Sequence, residues 1–524
     1  MIDREPEPEI DDVVSGTGES HGPGGVRCHR LDAEQLVGVV DRAMVAGWRF
    51  ASLVADQPLP PRAHLDYVLV APRVGAPVVL RVEVPEAGEV PSIARICPAA
   101  AWAERETADL HGVRFAGSPD RRPLVHHEDW PTDVHPLRAD AAITVPVERC
   151  SGVYTYDLVE GEGVMEIRVG PIHAGIIEPG HFRFSTVGET VLGLEIRLGY
   201  VHRGVELAAC GRTPAAALIL AERISGTASV GHAVALARAI ECALGIEVPR
   251  IHALWRTLLI ELERLYNHAG DLGNLCAGTA LAGVLAEGMI IKEALLAANA
   301  RCTGSRYLRN LIGLGGVRRL PEAAALEDAT AAAYRAGAAL EKLAVKFFGS
   351  ATNLERLTGT GVLSFEHARN LGCVGVVARA SAVATDSRVE LDHPTAIDRE
   401  IYADHIAATA ITGDVAARAQ VRLDEARRSL VLVRRIADRL GGLPVAPPGL
   451  PWRGDGEGYG WCEGPRGEIV TFARLVGGRL ARLRVRSPSR MNWPAIEHAM
   501  PGNIVPDFPL INKSFNLSYA GCDL

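Results

Sequence analysis

Between Pro249 and Cys276, the apolar residues Leu254, Leu258, Leu262, Leu265, Ala269 and Leu272 recur at spacings of three and four. That spacing puts them on one stripe of a single long helix. Pro249 stands at its start, where a missing N–H costs little. Further helices are predicted near 282–302, 322–346 and 414–440. Strand patterns flank this helical block: Met165–Val169 and Thr190–Leu198 before it, Ile469–Phe472 and Leu480–Val485 after it.

A smaller unit precedes it. Asp32 can cap a helix whose Leu36, Val39, Val40, Ala43 and Met44 share a face. Two strand-like runs follow, Tyr67–Ala71 and Val78–Val84. In the second, Leu80, Val82 and Val84 alternate with Arg81 and Glu83, as in a half-buried strand. A helix is predicted over Ala99–Leu110, then a loop rich in Pro, Asp and His. The predicted fold class is α+β: a mobile leader over 1–30, a small α+β domain over 31–147, and a mainly helical domain with peripheral β-strands over 148–524.

At 524 residues and 48% hydrophobic content the chain is globular, with room for two cores. Its net charge of −8 carries no nucleic-acid footprint. The acidic start MIDREPEPEIDD is not a secretory signal. The most membrane-like stretch, Ala277–Ile291, is interrupted by Glu287 and too short to span a bilayer, so membrane association is expected only through partners. The 10 cysteines are scattered, no CxxC occurs, and they read as reduced thiols with no zinc or iron–sulfur cradle. GLGG at Gly313 lacks the further glycine of a dinucleotide fingerprint, which argues against direct NAD binding.

Within the first unit, AWAERETADLHGVRFAGSPDRRPLVHHEDW followed by HPLRAD resembles the 30-kDa subunit of respiratory complex I. Its charged stretch Glu104–Asp109 reads as a helix face used for salt bridges. The second domain resembles two related proteins. One is the 49-kDa subunit of complex I; the other is the large subunit of membrane-bound, energy-converting nickel–iron hydrogenases of the formate hydrogenlyase type. The segments that carry this are GPIHAGIIEPGHFRF, YVHRGVEL, ERISGTASVGHA, LGIEVPR, LIELERLYNHAGDLG, GLGGVRR, EGPRGE and LINKSFNLSYAGCD.

In the hydrogenases two CxxC pairs hold the metals, and the resemblance implies where those ligands would stand. The frame Arg-x-Cys-Gly-x-Cys-x-x-x-His reads here Arg223, Ser225, Gly226, Ala228 and His232, and the second pair falls on Ser518 and Gly521, with Cys522 one residue off register. Soft thiolates hold such a centre, and these four positions offer two hydroxyls and two residues with no donor. No metal is therefore expected on this chain. Complex I uses the same cavity for a quinone headgroup held by a tyrosine and a histidine. Gly226 takes the tyrosine position, and His181 is the candidate histidine.

The resemblance thus implies Glu178, Arg466 and His232 as catalytic residues, with Glu178 placed to deliver a proton. His173, His181, Ser225, Gly226 and Ser518 would line the substrate. Each has a plain alternative: Glu178 as a cap, Arg466 as an ion pair with Glu463 or Glu468, His232 and His173 as hydrogen-bonded core histidines. Arg379, Asp386 and Arg388 read as a scaffold salt-bridge cluster. No cofactor is expected on the chain itself. A small iron–sulfur subunit would bring electrons, quinone would be the acceptor, and integral membrane ion-translocating subunits would complete a complex on the cytoplasmic, inner face of the membrane. Two other readings stand beside this one: a non-catalytic scaffold subunit, and a true hydrogenase large subunit.

Overall fold

The computed structural model describes residues 13–14, 18–22, 26–59, 62–71, 77–86, 88–141, 147–157, 159–174, 177–391, 399–402, 407–440, 452 and 454–524. Most of the expected leader lies outside these. The part that lies inside is not a tail. Val13 and Val14 are buried in the first core, and Arg42 donates to the Val13 carbonyl at 3.0 Å. Strands β1 (Gly18–His21) and β2 (Arg27–Leu31) belong to the first sheet. The first domain therefore begins before residue 31, because apolar Val13, Val14, Val26 and Cys28 supply side chains to bury.

Three more strands complete that sheet: β3 (Arg49–Leu59), β4 (Arg62–Val70) and β5 (Pro77–Glu83), in the order β1-β2-β5-β4-β3. The β2–β5 pair is parallel and the other pairs are antiparallel. Helix α1 (Leu36–Val45) buries Leu36, Val39, Val40 and Ala43 on one face of the sheet, as the periodicity predicts. Helix α2 (Ala101–His111) packs on β3 and ends on Gly112 in the left-handed region.

Strand β5 was expected to be half-buried and is buried on both faces. Val26, Cys28, Ala51, Val54, Val68, Val70 and Val79 form an apolar layer with Tyr459, Trp461, Val470 and Phe472 of the second domain. The sheet of the first domain thus packs on a sheet of the second. Arg81 is only partly exposed, where the alternation implied a solvent-facing side chain. It pairs with Asp66 at 2.7 Å and with Glu457 at 3.2 Å.

The second domain opens with a three-stranded antiparallel sheet, β6 (Val164–Val169), β7 (His181–Val187) and β8 (Thr190–Arg197). The helical block follows: α3 (Ser229–Leu244), α4 (Arg250–Leu275), α5 (Ala282–Thr303), α6 (Ala323–Gly349) and α7 (Val415–Leu440). The predicted stripe of α4 lies buried, but so does nearly the whole helix, charged residues included. An antiparallel sheet of β9 (Gly456–Gly464), β10 (Gly467–Val476) and β11 (Arg479–Arg486) covers α3. Helix α8 (Pro488–Ala499) and the terminal helix α9 (Tyr519–Asp523) close the chain. Among the described residues no helix is long and apolar enough to cross a membrane.

An arginine comb joins the domains. Arg482, Arg484 and Arg486 alternate along β11, so they point to one side. They donate to the carbonyls of Ala55, Leu53 and Ala51 in turn, at 3.0, 3.1 and 2.7 Å. Strand β3 is the edge of its sheet, and these guanidinium groups satisfy carbonyls that an edge leaves open. Acidic partners hold the comb in place: Glu106 of α2 meets Arg484 at 2.5 Å, and Glu468 of β10 meets Arg49 of β3 at 2.6 Å.

Burial alone would raise the carboxyls of Glu106 and Glu468. The guanidinium groups of Arg484 and Arg490 around the first, and of Arg49 and Arg486 around the second, hold both down at about 2. A carboxyl held below its unfolded value near 4.5 stabilises the fold above that pH, and the contribution is lost as the pH falls towards 2. The expected result is a rise in radius of gyration by small-angle scattering as the pH falls from 4.5 to 2. An unchanged radius would show that the comb does not hold the joint.

Candidate functional site

Two loops far apart in sequence meet at the positions singled out above. Ser225 to Ala228 lie in the turn that enters α3, and Ser518 caps α9. Ser225 Oγ donates to Ser518 Oγ at 3.1 Å, and Ser225 shares a second hydrogen bond of 2.9 Å with Thr227 Oγ1. The Gly521 N–H donates to Ser518 Oγ at 2.9 Å. Ser518 therefore accepts twice, and its own proton remains to be donated. Gly521 packs against the pair: a Cβ there would lie 3.0 Å from Ser518 Oγ and 3.2 Å from Ser225 Cβ. A Cβ on exposed Gly226 would meet nothing within 4 Å. The place of the expected tyrosine is therefore open space.

Arg466 ties the two loops together. It is buried, and all three of its nitrogens are engaged. Nε donates to the Asn516 carbonyl at 3.1 Å, Nη1 to Asn267 Oδ1 at 2.9 Å, and Nη2 to Asp271 Oδ1 at 3.0 Å. Asn267 Nδ2 in turn donates to the Thr227 carbonyl at 3.0 Å. The ion-pair partner is thus Asp271, neither Glu463 nor Glu468. Those two belong to Arg379 and to Arg49 with Arg486. Asp271 also meets Arg422 at 3.3 Å and accepts from Asn516 at 2.6 Å. Its carboxyl lies below the ordinary range: burial would raise it, and Arg466 and Arg422 outweigh that.

The sequence reading missed Asn267 and Asp271. With Glu263 they stand four residues apart on α4, a polar stripe on a helix that is otherwise packed. Glu263 accepts from the N–H groups of Val230 and Gly231 at 2.9 and 3.0 Å, in the first turn of α3. Their spacing of four, which puts three polar residues on one face of α4, was the available signal.

The other predicted residues divide. Glu178 is exposed and accepts from the Ala520 N–H at 2.9 Å, which sets it against α9 beside Ser518. His173 and His181 instead close their own turn: His173 Nε2 lies 2.8 Å from the Gly180 carbonyl, and His181 Nδ1 3.2 Å from that of Gly170. Gly180 does press on Tyr519 of α9, so the turn abuts the site although neither ring is shown entering it. His232 is buried one turn into α3, and burial pushes it down to about 3, so the ring is neutral. Cys522 faces Arg490 at 3.8 Å, and burial pushes its thiol up to about 12.

Beneath the site, Arg379, Asp386 and Arg388 form the expected ion-pair cluster, and it is larger than expected. Arg379 meets Glu425 at 2.6 Å and Glu463 at 3.0 Å, and Arg388 meets Asp386 at 2.6 Å and Glu261 at 3.3 Å. His268 meets Glu425 at 2.8 Å. All of these are buried. A cavity of about 500 Å³ lies elsewhere, between the domains, walled by Trp48, Arg49, Cys97, Cys373 and Glu390.

A nickel–iron centre does not fit these residues. Ser225 and Ser518 offer hard, protonated oxygens already bonded to one another, and Ala228 and Gly521 offer no donor. Among the described residues, no group of three or more His, Cys, Asp or Glu is placed to hold a metal ion.

Comparison with known proteins gives the lineage. The family model for the 30-kDa subunit of respiratory-chain NADH dehydrogenase matches residues 30–147, that for its 49-kDa subunit matches 281–448, and that for nickel-dependent hydrogenases matches 203–277. Formate hydrogenlyase subunit 5 of Escherichia coli is 31% identical, over 85% of this chain and 79% of its own length. Hydrogenase-4 component G of the same organism is 34% identical, over 83% and 76%. The fused C/D subunit of NADH-quinone oxidoreductase from Bacteroides fragilis is 30% identical, over 82% and 84%. A chain of the archaeal membrane-bound sulfane sulfur reductase shares the fold, with a TM-score of 0.63, 24% identity, and coverage of 69% of this chain and 99% of that one. The protein therefore belongs to the family of large subunits shared by formate hydrogenlyase, hydrogenase-4 and NADH-quinone oxidoreductase of the fused C/D type.

Proposed function

We propose that this chain is the acceptor-binding subunit of a membrane-associated oxidoreductase complex, and that its acceptor is an organic carbonyl compound of the quinone class. The observation that carries this reading is the Ser225–Ser518 hydrogen bond of 3.1 Å, where relatives that activate hydrogen would hold metal. A hydroxyl pair with a spare proton suits a carbonyl oxygen, a hard acceptor of hydrogen bonds. Open space at Gly226 leaves room for a ring. Arg466 positions the loops, and Glu178 stands at the exposed rim, where a carboxyl can pass protons from water. Electrons would come from a small iron–sulfur partner, and ion-translocating membrane partners would hold the complex on the inner face of the membrane.

Elemental analysis of the purified complex, together with its reduction of a short-chain ubiquinone analogue, tests this. The expected result is substoichiometric nickel and quinone reduction that falls at least tenfold in Gly226→Trp, which fills the open space. One nickel per chain would overturn the reading, and so would turnover indifferent to Gly226→Trp.

A further inference from the structure

We infer that Glu263, buried on α4 beneath the entry to α3, is the group that takes up a proton when the acceptor gains negative charge. This rests on the reading of the site as one that accepts electrons. Of the polar stripe on α4, Asn267 and Asp271 are committed to Arg466 and its neighbours. Glu263 is different. Its carboxylate rests on two backbone N–H groups, and among the described residues it has no ion-pair partner within 4 Å. Those N–H groups belong to Val230 and Gly231, directly after Ala228. A Cβ on Gly231 would lie 3.6 Å from Glu263 Oε2 and 3.7 Å from Ala228 Cβ, so the carboxyl backs onto the acceptor loop itself.

A carboxylate so enclosed, held by backbone dipoles and with its nearest cations outside ion-pair distance, is poised between its two forms. Burial pushes it up to about 7, against the pull of the two N–H groups, Arg264 and Arg466. The groups that face it do not compete for the proton. On α4, the Arg264 guanidinium pulls the carboxyl down and Tyr266 is held neutral by burial. Arg466 on the β9–β10 turn pulls the carboxyl down likewise, Cys462 on β9 is a thiol pushed up to about 12, and His232 on α3 is neutral. An electron arriving from the partner's reduced cluster adds one negative charge beside this carboxyl. A proton from water bound at Glu263 cancels that charge. With the second electron and second proton, the balance is quinone + 2 e⁻ + 2 H⁺ → quinol, both protons ending on the carbonyl oxygens.

Infrared spectroscopy of the full chain tests the first half without any acceptor. The wild type is expected to show a protonated-carboxyl C=O band that titrates near neutrality and is missing in Glu263→Gln, whose amide oxygen can still accept from one of the two N–H groups. Turnover of the complex with the ubiquinone analogue tests the second. The wild-type rate is expected to fall towards tenfold per pH unit above about 7, Glu263→Gln to be slower and flat with pH, and Glu263→Asp to recover the slope. A missing band, or a pH profile that Glu263→Gln leaves unchanged, overturns the inference. A titrating band in a complex that reduces no quinone supports Glu263 as the proton-holding group and overturns the quinone reading instead.

Discussion

Arg484→Met is expected to cost about 3–5 kcal/mol in urea-denaturation stability, the usual penalty for removing one member of a buried ionic cluster. Arg484 is about 5% exposed and spends its donors on three partners: the Leu53 carbonyl, Glu206 and Glu106. Without it, both carboxylates stay buried with fewer counter-charges and an edge carbonyl of β3 goes unmet. Arg427→Met is the control. Arg427 forms an equally short pair with Glu341, at 2.7 Å, but both side chains are nearly half-exposed. Water replaces that partner, and the expected loss is below about 1 kcal/mol. Equal losses in the two variants would show that the comb contributes no more than a surface pair.

Arg466→Met is expected to lower quinone turnover of the assembled complex by about 100-fold or more, the scale on which small misplacements of reacting groups act. Its three bonds join the 516–518 segment, α4 and, through Asn267, the 225–228 loop. Arg466→Lys is expected to recover little, because one ammonium cannot reach three partners that a planar guanidinium spans. Measuring the pH of half-maximal rate alongside separates positioning from proton supply. In Arg466→Lys, which keeps the charge, the midpoint should stay where Glu263 sets it while the rate falls; in Arg466→Met it should also rise, because one of the cations that pull Glu263 down is gone. Full turnover in either Arg466 variant would remove the residue from the site.

Much of this architecture is legible in the residues. The apolar spacing on α4 and α1, the pleat of β5 and the quoted motifs each specify local structure through a short-range rule. What escaped is what those rules omit. Periodicity marks Leu483 and Val485 as the buried side of a strand, but says nothing of Arg482, Arg484 and Arg486, which are buried too, on the opposite side. Their partners are backbone carbonyls more than 400 residues away. For Arg466 the adjacent Glu463 and Glu468 are the obvious partners by sequence, whereas its carboxylate lies 195 residues distant, on α4. The Ser225–Ser518 meeting is foreseeable only through resemblance, since nothing in either loop alone demands the other. Charged residues in cores are where sequence reading fails most, because their partners are chosen by tertiary geometry.

Because the comb itself reads peptide oxygens and not side chains, the composition of β3 matters to the joint only where a side chain also takes part, at Arg49, Ala51, Val54 and Asp56. The comb is then insensitive to substitutions at the remaining positions of that strand, yet intolerant of a single inserted or deleted residue, which would turn the carbonyls beyond it away from their arginines. Exchange of the smaller module between relatives would then have to preserve one strand as a gauge of length together with the few side chains it carries across the joint.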